Sequence, residues 1–206
     1  YTGALTRTLA ASAVAVPSSG VIFAEDNVWV RTNGSFSGRL TIAAGRLASS
    51  TNAANITIVD NVLYSTKNGS DAIGLIAEGT VKIAPYAPPN TGNFTLEVDA
   101  AIIAQTGSVL YPSTYATGGA KTKGFVGSSQ IFKYYGSIAT RQTWTWQWLT
   151  SSGGNTVRDP ISGNWISGFL NSTTQYDYNL LYAPPPSFPI TSSYNILSWR
   201  EVLVTP

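Results

Sequence analysis

Phe23-Ala24-Glu25-Asp26-Asn27-Val28-Trp29-Val30 carries the pattern that decides the fold. An apolar residue is followed by acidic or small polar residues, and then by a β-branched residue that opens another apolar run. The pattern returns as Ile58-Val59-Asp60-Asn61-Val62-Leu63-Tyr64, as Ile76-Ala77-Glu78-Gly79-Thr80-Val81-Lys82-Ile83 and as Val98-Asp99-Ala100-Ala101-Ile102-Ile103. A copy without its acid is Tyr134-Tyr135-Gly136-Ser137-Ile138. Anchored on Val28, Val62, Val81, Ile102 and Ile138, the intervals are 34, 19, 21 and 36 residues. The long intervals are about twice the short ones, and a repeat of this length marks a solenoid.

Period-2 apolar pairs run alongside: Val21/Phe23, Leu40/Ile42, Ile56/Ile58, Leu75/Ala77 and Phe94/Leu96. Residues two apart share one face of a strand, so these pairs predict one inward-facing strand in each coil. Thr32-Asn33-Gly34-Ser35 and Lys67-Asn68-Gly69-Ser70 supply turn chemistry between them. The expectation is an all-β protein, a parallel β-solenoid of about five or six coils over 20–140. Its right hand follows from the usual chirality of parallel crossovers. An antiparallel sandwich is the rival, since short strands and Gly-rich turns occur there too.

Composition agrees. Of 206 residues, 43% are apolar and only 11% charged, about half the usual charged share. Gly, Ser, Thr, Asn and Pro fill much of the rest, a mixture of strands and turns. No apolar run reaches the ~18 residues of a membrane span, so no membrane contact by the fragment itself is expected. The chain opens at Tyr1 and has no Met, which reads as a mature or recombinant fragment with its targeting segment upstream. Cys is absent, excluding disulfides, thiol catalysis and thiolate metal sites. His is absent as well, which removes the commonest general base and metal ligand. The net charge of +2 comes without a block of like charge; it neither demands nor excludes nucleic acid.

Residues 1–16 read as an entering strand that covers one end of the stack, with a short helix as the alternative. A lateral loop over 106–129 interrupts the repeat with Tyr111-Pro112, Gly118-Gly119, Lys121 and Lys123. Beyond the 1–140 solenoid, residues 141–206 read as an aromatic-rich C-terminal cap or side layer. That region holds Thr143-Trp144-Thr145-Trp146-Gln147-Trp148, Trp165, Pro184-Pro185-Pro186 and a final strand-like run at Ile196–Val202.

Two sets of residues suggest chemistry. Asp60, Glu78 and Asp99 precede the anchors and would line one corner of neighbouring coils. There they would bind Ca2+ through oxygen, act as acid and base on a polysaccharide, or cap turns by accepting backbone N–H bonds. Trp144, Trp146 and Trp148 at period 2 predict three indoles on one face. That face would be a stacking platform for sugar rings or unpaired bases, or a hydrophobic lid over the last coil. Lys121 and Lys123 would add modest positive charge for extracellular DNA or surface glycan.

Gly20 to Val30, Gly38 to Ala43, Gly74 to Ala77, Ala100 to Ser108 and the ending Tyr176-Asp177 … Pro184-Pro185-Pro186-Ser187-Phe188-Pro189 … Ser198-Trp199-Arg200-Glu201 together resemble a bacterial family. They are similar to the carboxy-terminal β-solenoid domains of type IV pilus-associated, minor-pilin-like proteins. The resemblance covers most of 5–203 and is most specific at the ending. It implies a non-enzymatic, surface-exposed component of a pilus or secretion apparatus, with pilin subunits or other filament components as partners. It also implies a bacterial cell-surface location and roles such as adhesion or DNA uptake, with no catalytic residues and no cofactor to carry over. A pilin-like membrane helix typically precedes the domain in that family, and these 206 residues hold none.

Overall fold

The computed structural model describes residues 15–47, 52–84, 87–88, 95–112, 131–150, 163, 165–169 and 171–189, with backbone alone at 149–150 and 165–167. These residues are almost all strand, turn and bend; the one helix is a 3-10 turn, Tyr178–Leu181. The protein is all-β with mainly parallel sheets.

Two parallel sheets share the core. The first contains β1 (Val21–Ala24), β3 (Arg39–Ala44), β5 (Ala72–Ala77), β7 (Thr95–Ala104), β9 (Ile131–Thr140) and β13 (Asn171–Tyr176), in that order. The second contains β2 (Val28–Val30), β4 (Ile56–Ile58), β6 (Val81–Ile83), β8 (Val109–Leu110) and β10 (Trp144–Thr145), stacked in the same sense. From β1 to β10 the chain alternates between the sheets. Then β11 (Gln147–Thr150) and β12 (Trp165–Gly168) form a separate antiparallel pair.

Register follows side-chain chemistry. In the first sheet Ile22, Ile42, Leu75, Ile102 and Ile138 are successive partners. In the second, Val28, Ile56, Val81, Val109 and Trp144 hold the equivalent line. Short runs of β-branched and aliphatic residues suit a half-buried pleated surface. Facing ladders bury them against each other, and the interior is continuous from Val30 to Phe169. One fully enclosed aliphatic side chain contributes about 1.5–3 kcal/mol.

This arrangement corrects the repeat expected from the cassette. Its anchors fall in three places: Val28 and Val81 in the second sheet, Ile102 and Ile138 in the first, and Val62 in an isolated bridge to Val98. The apolar pairs likewise mix sheets, with Leu40/Ile42 in β3, Ile56/Ile58 in β4 and Leu75/Ala77 in β5. Each pass of the chain lays down two principal strands rather than one. Both sheets present the same aliphatic alternation to a shared core, so composition does not tell one from the other. Val21/Phe23 stands on the opposite face: Ile22 is the partner of Ile42, and Phe23 is 48% exposed.

Turns before the second sheet stack through polar side chains. Asn27 Oδ1 accepts from the Asn55 N–H at 2.8 Å, and Asn55 Oδ1 accepts from the Thr80 N–H at 2.8 Å. Thr80 Oγ1 accepts from the Ser108 N–H at 3.3 Å. Each of these residues stands one position before its strand, so a constant register places them above one another. They satisfy turn N–H groups that would otherwise be left without partners.

Residues 184–188 cover part of the outer face of the first sheet, over β3 and β5. Arg39 donates to the Pro184 carbonyl and Thr41 to the Pro186 carbonyl. Gly74 lies beneath: a Cβ there would meet Phe188 Cδ2 at 2.7 Å and Pro185 Cβ at 3.0 Å. Glycine at 74 therefore permits the prolines to seat directly on the sheet. Within 141–206, β10 and β13 extend the two parallel sheets themselves. The expected strand at 1–16 lies outside the described residues apart from its last two positions. Phe94, residues 113–129 of the lateral loop and the final run at 196–202 lie wholly outside them.

Candidate functional site

The three acids expected along one corner occupy three different positions. Asp60 follows β4, Glu78 lies in the turn from β5 to β6, and Asp99 is inside β7. The acid-bearing cassette falls at two different corners of the path and once within a strand, which is why its acids do not stack. Each accepts backbone N–H bonds. Asp60 Oδ1 takes the Asn61 N–H at 2.8 Å, and Glu78 Oε2 takes those of Arg46 and Ala54 at 2.9 and 3.2 Å. Asp99 Oδ2 takes the Tyr64 N–H at 3.0 Å. Among the described residues no three acidic side chains gather to share a cation.

A carboxylate that sequence reasoning missed is more connected than any of these. Asp71 is buried, with Oδ1 accepting from the Gly38 N–H at 2.7 Å and Oδ2 from the Thr66 N–H at 2.7 Å and the Thr66 hydroxyl at 2.9 Å. The Gly38 N–H, helped by the Thr66 and Ser37 donors, holds its pKa below the usual carboxylate value. Its signal was present in the sequence: Asp71 closes the Lys67-Asn68-Gly69-Ser70 turn, and Asx residues at such positions hydrogen-bond the turn backbone.

The tryptophan stripe is broken. A bend at Trp146 takes the chain from β10 of the second sheet into β11 of the hairpin, and the period-2 argument fails at that bend. Trp146 is 4% exposed and packs on Phe132 with ring centroids 4.3 Å apart, which makes it a core residue. Trp148 is half-buried and donates its indole N–H to the Tyr111 carbonyl at 2.7 Å. Trp144 alone of the three is open, at 51% exposure. Trp165 opens β12 opposite Thr150. Lys121 and Lys123 lie outside the described residues.

Trp144 nevertheless borders an open pocket of about 260 Å3 at the β13 end of the stack. Its other walls are Tyr134, Gly136, Ser137, Ile138, Thr174 and Tyr176. The second sheet stops at β10 while the first continues to β13. Thr174 and Tyr176, partners of Tyr134 and Gly136, therefore have no described strand of the second sheet facing them. The Tyr134 hydroxyl lies 2.7 Å from the Ala100 and Ser137 carbonyls. The pocket thus offers two partly open aromatic rings, with Tyr176 39% exposed, beside the hydroxyls of Ser137 and Thr174 and, among the described residues, no charged side chain. Such walls suit flat, uncharged, hydroxylated ligands.

A second cluster lies on the outer face of β7 under the 3-10 turn. Lys67 Nζ is 2.8 Å from both Glu97 Oε1 and Asp99 Oδ1, and 4.8 Å from the centre of the Tyr135 ring. Asp177 Oδ1 caps the turn through the Asn179 N–H at 3.0 Å and accepts from the Tyr135 hydroxyl at 2.8 Å. Asn179 Nδ2 donates to the Lys67 carbonyl at 3.2 Å. Burial pushes the Tyr64 phenol well above its ordinary value. Burial also raises the phenol of Tyr135, aided by the hydrogen bond to Asp177.

No described helix is long and apolar enough to cross a membrane. No protein-family model, curated protein or solved structure matches the chain.

Proposed function

We propose that the chain is a right-handed parallel β-solenoid serving as the exposed, non-enzymatic display domain of a type IV pilus-associated, minor-pilin-like protein on a bacterial surface. The observation that carries this reading is the pair of parallel ladders with turns of unequal length between partners. A stack of this kind holds its strands in register while its turns vary, which suits a stiff spacer that presents loops. The capture of Asp60, Glu78 and Asp99 by backbone donors supports a structural use of the cassette over a polysaccharide-cleaving one. Pilin subunits or other filament components are the partners this reading names.

The coding sequence upstream of Tyr1 tests it. A short basic leader followed by about 20 apolar residues supports pilus membership. A plain secretion signal with a cleavage site immediately before Tyr1 overturns it.

The exposed Trp144 beside Tyr176 favours a second reading, a module that binds surface glycan. Titration with neutral oligosaccharides, followed by tryptophan fluorescence, would show saturable quenching that Trp144→Ala removes. Absence of any change up to millimolar sugar would overturn it. Extracellular DNA is the other ligand of this class, and a gel shift that weakens steeply with salt would distinguish it.

A further inference from the structure

The Lys67 cluster plays no part in the display reading and points to different chemistry. An amine, a buried carboxyl and a second carboxylate meet within 2.8 Å contacts of one nitrogen. We propose that Lys67 and Asp99 condense into an intramolecular isopeptide bond, with Glu97 carrying the proton.

The geometry supplies each part that an amide-forming step needs. Asp99 is 0% exposed, and Lys67 Nζ is the one partner facing its Oδ1 among the described residues. The amine is therefore already in contact with the carboxyl group it would attack. The other oxygen, Oδ2, already accepts the Tyr64 N–H at 3.0 Å. That N–H is placed to stabilise the negative charge that grows on Oδ2 when the carbonyl carbon becomes tetrahedral. Glu97 Oε1 reaches the same nitrogen from the next outward position of β7. The Tyr135 ring lies against the ammonium on a further side.

The steps balance. The Lys67 ammonium passes one proton to Asp99 Oδ1, leaving a neutral amine beside a neutral acid. The nitrogen lone pair attacks Cγ and forms the C–N bond. Glu97 takes a second proton from nitrogen and returns it to Oδ1. The Cγ–Oδ1 bond breaks and one water leaves. The ion pair of charges +1 and −1 becomes an uncharged amide plus water, with no oxidant or cofactor.

Protonation energetics act on the first step from both sides. Burial raises the Asp99 pKa even against the hydrogen bond and charge of Lys67, which favours the neutral acid formed in the first step. Burial works to lower the Lys67 pKa, but the hydrogen bonds and charges of Asp99 and Glu97 outweigh it and leave it raised. The raised Lys67 pKa favours the ammonium, so freeing the amine is the costly part of the first step. A chain without cysteine has no disulfide to tie its turns, and this bond would tie the 65–71 turn to a central strand.

Intact-mass measurement of the full chain under denaturing conditions tests the proposal. The expected mass is lower than the sequence mass by one water. Peptide mapping should then find no cleavage after Lys67 and a branched peptide joining it to the Asp99 segment. Lys67→Arg keeps the charge but not the amine, and should restore the full sequence mass. Glu97→Gln should leave a folded chain in which the water loss is absent or at least tenfold slower. A folded wild-type chain that keeps its full mass on prolonged incubation overturns the proposal. So does a water loss that survives in Lys67→Arg, because it would then reside at another site.

Discussion

Asp71 shows how one side chain holds several turns, and its chemistry makes a prediction. Both oxygens face donors, the Gly38 N–H on one side and the Thr66 N–H and hydroxyl on the other. An amide at this position would turn an NH2 group toward one of those donors, so Asp71→Asn should destabilise by about 1–3 kcal/mol at neutral pH. The folded pKa lies below the ordinary value. The carboxylate's contribution is therefore full above the unfolded value, near pH 3.9, and is lost as pH falls through the folded value. The gap between wild type and Asp71→Asn in denaturant unfolding should thus close in acid; a constant gap would refute the assignment. The two neighbouring tryptophans divide in the same manner. Trp146→Ala should cost about 3–5 kcal/mol because it empties a packed aromatic core. Trp144→Ala should stay within about 0.5 kcal/mol by thermal unfolding, as exposed positions do.

At the scale of elements, stability of the turns rests on the stacked polar side chains. Asn55 both donates upward to Asn27 and accepts from Thr80 below. Asn55→Ala should cost about 1–3 kcal/mol by leaving the Thr80 N–H without its acceptor, whereas Asn55→Asp should retain most of that bond. Gly74→Val should lift the 184–188 segment from the first sheet, raising its rate of proteolytic cleavage while the sheets persist. How much of this was legible follows from particular residues. Val, Ile and Thr in short runs between Gly- and Asn-rich turns marked strands, and Asp60 with Glu78 marked corners. The division into two sheets was not legible, because Ile42 and Ile56 look alike in sequence yet belong to facing layers. The ladder of Asn27, Asn55, Thr80 and Ser108 mixes three residue types and becomes visible only once register is known. The bend at Trp146 depends on where the second sheet ends, which no local signal in Thr143 to Trp148 announces.

For the whole molecule, stacking makes stability a sum over neighbouring layers. Ile56 and Trp144 are three strand spacings apart along the second sheet, about 14 Å, and Trp146 lies beside the latter. Ile56→Ala should cost about 2–5 kcal/mol, and the double substitution with Trp146→Ala should be additive within about 0.5 kcal/mol. A coupling well above 1 kcal/mol in urea unfolding would instead mean that the core responds as one rigid body. The paired ladders also have a bearing on how such a chain is edited. First-sheet partners Ile22, Ile42, Leu75, Ile102 and Ile138 are separated by 20, 33, 27 and 36 residues, yet every one faces its neighbour directly. Turn length is therefore free while partner choice is fixed, so the protein is punctuated like verse, with line breaks that tolerate added words. A foreign peptide spliced into a described turn such as Asn33-Gly34 should change one line and leave the rhyme of the remaining strands untouched, an outcome that thermal unfolding of the grafted chain would check.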